Sequence, residues 1–97
     1  MPTMKAVVAA PVGLHARSAA VFVRAVTDTG LPVSISKAGA GLVDARSLLQ
    51  VMTADFPHGC EVELSIRENE LEDALGREKA ENALRQLREL LESQGAA

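Results

Sequence analysis

Ninety-seven residues with a formal charge of −3 suffice for one domain around one core, and the acidic balance excludes the basic surface of a nucleic-acid binder. With no Trp, no Tyr and two Phe, the chain lacks stacking platforms for single strands and must build its core from aliphatic side chains. A lone Cys60, no signal-peptide pattern at Met1 to Lys5 and no apolar run near the ~20 residues of a membrane span lead to the expectation of a cytoplasmic protein without membrane insertion.

Thr3 to Ala9 alternates, with Met4, Ala6 and Val8 on one face and Thr3, Lys5 and Val7 on the other, which is the period of a strand. Pro11 and Gly13 end it. From Ala16 the period becomes helical: Ala19, Phe22, Val23 and Val26 share one face, and Gly30 is placed to terminate the helix. Leu31, Val33 and Ile35 alternate with Pro32, Ser34 and Ser36 as a second strand. Lys37 to Gly41 turns it into a short return strand at Leu42-Val43, so a hairpin is expected.

Ser47 is a natural N-cap for a helix of about two turns carrying Leu48, Leu49, Val51 and Met52 and ending near Asp55. After Pro57 and Gly59, Cys60, Val62, Leu64 and Ile66 alternate with Glu61, Glu63 and Ser65 in the clearest half-buried strand of the chain. Asn69 and Glu72 are spaced as a capping box, which predicts a short helical piece through Leu75 that stops at Gly76. A separate amphipathic helix is expected from Arg77 to about Ser93, with Ala80, Ala83, Leu84, Leu87, Leu90 and Leu91 as its stripe. Gln94 to Ala97 reads as a frayed tail. The order is βαββαβα, which suits a two-layer α+β sandwich formed by residues 1–97 as one unit.

Candidate chemistry gathers at Ala10 to Ala20. A single histidine in a small domain is most often a surface or structural residue, but His15 is held by a Pro/Gly loop at a helix start, and no apolar period assigns it to the core. The unpaired N–H groups and the dipole of that helix end favour an anion. An imidazole can act there as a nucleophile, and the Arg17 guanidinium binds phosphate oxygens strongly. Arg17 is otherwise an ordinary solvated residue, although a cation in the first turn is slightly disfavoured by the dipole. Ser47 reads first as a cap and second as a hydroxyl that could accept a phosphate. The two-turn helix cannot bury all of Leu48, Leu49 and Met52, which points to an exposed apolar patch. His58 and Cys60 make a weak metal pair, and Cys60 already belongs to the strand pattern. No metal or cofactor is expected.

Pro11-Val12-Gly13-Leu14-His15-Ala16-Arg17-Ser18-Ala19-Ala20 closely resembles the active-site signature of the histidine-containing phosphocarrier (HPr) family of the bacterial phosphoenolpyruvate-dependent sugar phosphotransferase system. Val43 to Met52 is similar to that family's regulatory serine segment, so the resemblance spans essentially the whole chain. It implies an open-faced β-sandwich, a four-stranded antiparallel sheet covered on one face by three helices. His15 would take a phosphoryl group on Nδ1 from phosphorylated enzyme I and pass it to sugar-specific IIA components, with Arg17 steadying the phosphate. Such a protein is a carrier rather than an enzyme with turnover of its own, and a monomer is expected.

The resemblance further places partner docking on Ala16, Arg17, Ala20, Arg24, Leu48, Leu49 and Met52, and makes Ser47 the target of an HPr kinase/phosphorylase where that enzyme is present. Three features depart from the family pattern. Ser18 stands where proline is usual, Arg67 to Arg77 is longer than the usual connection, and modification of Ser47 is confined to some bacteria. Two other readings compete: a regulatory paralogue acting through Ser47 phosphorylation or protein binding, and a domain that binds an anionic metabolite reversibly at the same helix start.

Overall fold

The strand with the clearest alternation, Glu61–Ile66, lies in the interior of the sheet, with a neighbour on each side. The structure is a computed structural model, and it describes residues 3–66 and 74–94, without the side chains of Ala74 and Leu75. Its elements are β1 (Thr3–Val7), α1 (Arg17–Thr29), β2 (Val33–Lys37), β3 (Val43–Asp44), α2 (Leu48–Ala54), β4 (Glu61–Ile66) and α3 (Ala74–Ser93). The sheet order is β1-β4-β2-β3, and every pairing is antiparallel.

Alternation decides which face of the sheet is covered. Ala6 and Val8, Val33 and Ile35, and Val62, Leu64 and Ile66 are all buried, together with Ala19, Phe22 and Val26 of α1, Val51 of α2, and Ala80, Leu84, Leu87 and Leu91 of α3. Each large side chain buried in this way contributes roughly 1.5–3 kcal/mol relative to exposure. The opposite face carries Thr3, Lys5 and Glu61, which are exposed. This is an open-faced sandwich of four antiparallel strands with three helices on one side, as the sequence leads one to expect.

Three expectations need correction. The first strand ends at Val7 rather than Ala9, because the chain turns toward α3: the Ala9 N–H donates to the Leu91 carbonyl at 3.2 Å, and the Val7 N–H to Glu92 Oε2 at 3.2 Å. These two bonds satisfy N–H groups along a strand edge that would otherwise be open to pairing. The last helix does not restart at Arg77 but runs unbroken through Gly76 from Ala74. Glycine costs about 1 kcal/mol in a helix interior, a deficit that burial of the Ala80–Leu91 stripe exceeds. Gln94 is not part of a frayed tail, since its Nε2 donates to the Ser18 carbonyl at 3.2 Å. The Asn69/Glu72 capping box lies outside the described residues.

Candidate functional site: the loop before α1

The chain leaving β1 is pinned to the segment that follows α2. The Leu14 N–H donates to the Phe56 carbonyl at 2.8 Å, and the Gly59 N–H to the Val8 carbonyl at 2.7 Å. His58 Nδ1 lies 3.1 Å from the Ala10 carbonyl, so His58 serves as a loop tie when that nitrogen carries its proton. Cys60 Sγ faces the Glu61 carbonyl at 3.6 Å, and the described residues contain no cluster of three or more metal-binding side chains. Gly13 takes a φ of +76°, a region that side chains other than hydrogen rarely occupy. Leu14 is buried and anchors the loop from below, which leaves the next residue, His15, exposed.

His15 does not lie in the helix itself. It stands one residue before the N-cap, Ala16, and α1 begins at Arg17. Ala16 has φ 50° and ψ −117° and offers no side-chain oxygen to cap the helix. A backbone of that kind costs a residue with a Cβ on the order of 1–3 kcal/mol, and persists only where the surroundings hold it. The Ala20 N–H is bonded to the Ala16 carbonyl at 3.0 Å, while the N–H groups of Arg17, Ser18 and Ala19 precede any intrahelical partner. No acidic residue occupies the first turn, and Arg17 is exposed without an ion pair among the described residues. An exposed imidazole therefore adjoins a positive helix end and an uncommitted guanidinium.

Ser18 bonds locally, as a hydroxyl in a first helical turn is expected to, and its partners close the loop. The Ser18 hydroxyl accepts from the His15 N–H at 3.1 Å and lies 2.6 Å from the Gly13 carbonyl and 2.9 Å from that of His15.

Ala16, Ala20 and Arg24 recur at four-residue spacing and are all exposed. On α2, which packs against α1, Leu49 is 77% and Leu48 39% exposed. Met52 is half-buried and packs against the core, so the exposed apolar surface of α2 is carried by Leu48 and Leu49. Val12, in the His15 loop, is a further exposed apolar side chain, at 72%, that the sequence pattern did not single out. Ser47 is the N-cap of α2, as expected, and accepts from the Gln50 N–H at 3.2 Å. Just upstream, Asp44 Oδ1 accepts from the Arg46 N–H at 2.9 Å and from Arg46 Nε at 3.1 Å. The Arg46 N–H and guanidinium hold the Asp44 carboxyl below its ordinary value, with burial opposing them.

Comparison with known proteins bears on the family and the fold. Residues 2–93 match a family model described as the PTS HPr component phosphorylation site. The phosphocarrier protein HPr of Streptomyces coelicolor is 46% identical over 65 residues, covering 67% of this chain and 70% of its own. Among solved structures, HPr from Thermoanaerobacter tengcongensis superposes with a TM-score of 0.74 at 27% identity, over 100% of this chain and 98% of its own. A phosphocarrier protein HPr from Bacillus anthracis gives a TM-score of 0.70 at 24% identity, over 93% and 95%, and so bears on the fold alone. The chain belongs to the HPr family of phosphocarrier proteins of the phosphotransferase system.

Proposed function

We propose that His15 accepts a phosphoryl group on Nδ1 from phosphorylated enzyme I and delivers it to sugar-specific IIA components. Residues 1–97 would act as one carrier unit in the cytoplasm. The observation that carries this reading is the exposed His15 beside the unpaired first-turn N–H groups of α1, with Arg17 free of a carboxylate partner among the described residues.

The step requires a neutral imidazole with its proton on Nε2. The Nδ1 lone pair forms the new bond to phosphorus while the bond from phosphorus to the donor breaks, and that electron pair leaves with the donor. The reverse exchange delivers the group to the acceptor. The protein contributes placement and charge, as is usual in phosphoryl transfer. Arg17 and the helix end offset the phosphate's negative charge without enclosing it, so the group remains available to the next acceptor.

Both partners would dock over Ala16, Ala20, Arg24, Leu48, Leu49 and Met52. Phosphorylation of Ser47 by an HPr kinase/phosphorylase would add about two negative charges beside Leu48 and Leu49, which would oppose docking of an acidic partner surface. A reconstituted relay tests the proposal. With phosphoenolpyruvate, enzyme I and a IIA protein, label should reach IIA only when this protein is present. Normal uptake of every sugar by a deletion strain would instead support the regulatory alternative.

A further inference from the structure

Ser18 Oγ sits at the closure of a short ring formed by residues 13–18. It accepts the His15 N–H at 3.1 Å, and its own single proton is shared between the Gly13 carbonyl at 2.6 Å and the His15 carbonyl at 2.9 Å. Backbone bonding alone gives the His15 N–H one other acceptor, the Gly13 carbonyl two residues back at 3.0 Å, a tight turn of weak geometry. The ring encloses Ala16, whose positive φ is the strained point of the loop. Ser18 is a fixed base for the closure because it is already in α1 and its carbonyl accepts from Gln94 Nε2 at 3.2 Å. Proline at this position would start a helix well but would bring neither hydroxyl nor N–H.

We infer that Ser18 is a positioning residue for His15: its hydroxyl locks the backbone from which the imidazole projects, replacing by a hydrogen bond the stiffness a proline ring would supply. The inference rests on the reading of His15 as the phosphoryl acceptor. Loss of the hydroxyl lets the His15 backbone sample other conformations, so fewer encounters with the phosphoryl donor are productive, while the docking surface and the affinity for partners stay as they were.

The test pairs one readout independent of phosphoryl transfer with one that depends on it. In Ser18→Ala, the His15 amide of the unphosphorylated protein should exchange about fivefold faster, the size expected for one hydrogen bond, with the Leu14 amide unaffected. Turnover as acceptor from phosphorylated enzyme I should fall by a similar factor with KM nearly constant, and Ser18→Thr should restore both. A Ser18→Ala protein that accepts the phosphoryl group with wild-type turnover and, before phosphorylation, shows wild-type exchange overturns the Ser18 role alone, as does failure of Ser18→Thr to rescue. Wild-type protein that gains no phosphoryl group overturns the reading of His15 and the transfer role of Ser18 with it.

Discussion

A Cβ placed on Gly13 would stand 2.5 Å from the Phe56 carbonyl oxygen, the atom that also receives the Leu14 N–H. The obstruction is backbone, not a flexible side chain, with Pro57 Cα a further neighbour at 2.9 Å. Gly13→Ala must therefore break the Leu14–Phe56 bond or strain φ. We expect a loss of at least about 2 kcal/mol in stability, together with slower phosphoryl transfer, because the His15 loop is held by this contact. Denaturant unfolding measures the first and acceptor kinetics the second; a fully stable and active variant would contradict the close approach.

Lys37 supports the C-terminal end of α2, next to Phe56. Its Nζ donates to the Ala54 carbonyl at 3.0 Å and to the Asp55 carbonyl, and lies 5.6 Å from the centre of the Phe56 ring. It thus supplies the basic C-terminal group that the helix's own last turn lacks. Lys37→Met should cost about 1–2 kcal/mol and speed amide exchange in α2 ahead of the sheet. Uniform loss of protection across the molecule would mean that Lys37 does not act on α2.

Acid should weaken the segment before Ser47. The Arg46 N–H and then the Arg46 side chain hold the Asp44 carboxyl below its unfolded value of 3.8, so the carboxylate is the form the fold favours. Its contribution is fully present above the unfolded value and disappears as pH falls through the lower folded value. The effect is small because the Asp44 and Arg46 side chains are 40% and 51% exposed. Thermal unfolding of Asp44→Asn against wild type should show a gap at neutral pH that closes in this acid window; a gap independent of pH would contradict the pairing.

Leu49 separates docking from folding. At 77% exposure it contributes little to the core, so Leu49→Asp should change stability by less than about 0.5 kcal/mol. If α2 forms part of the docking face, KM for phosphorylated enzyme I should rise about tenfold or more. Unchanged KM would remove Leu49 from that face.

Much of this architecture is legible in the residues, and the exceptions share a cause. Cys60 to Ile66 alternates cleanly because β4 is an interior strand with one covered face, and the Pro11/Gly13 pair marks the loop because only particular backbones fit there. Gly76 misleads because a local break signal is weaker than the packing of Ala80 to Leu91 beyond it. Gln94 and Lys37 look like tail and turn residues, since the carbonyls they bind lie 76 and 17 or 18 positions away. Ala16 carries no sign of a positive φ: its conformation is imposed by the bonds around it, not preferred by the residue.

The most direct test of the carrier reading is intact mass after incubation with enzyme I and phosphoenolpyruvate, followed by mapping of the modified residue. The wild-type protein should gain a single acid-labile phosphoryl group, about 80 Da, on His15 Nδ1, and His15→Ala should gain none. A wild-type protein that stays unmodified, or a His15→Ala variant labelled as well as wild type, would contradict the account.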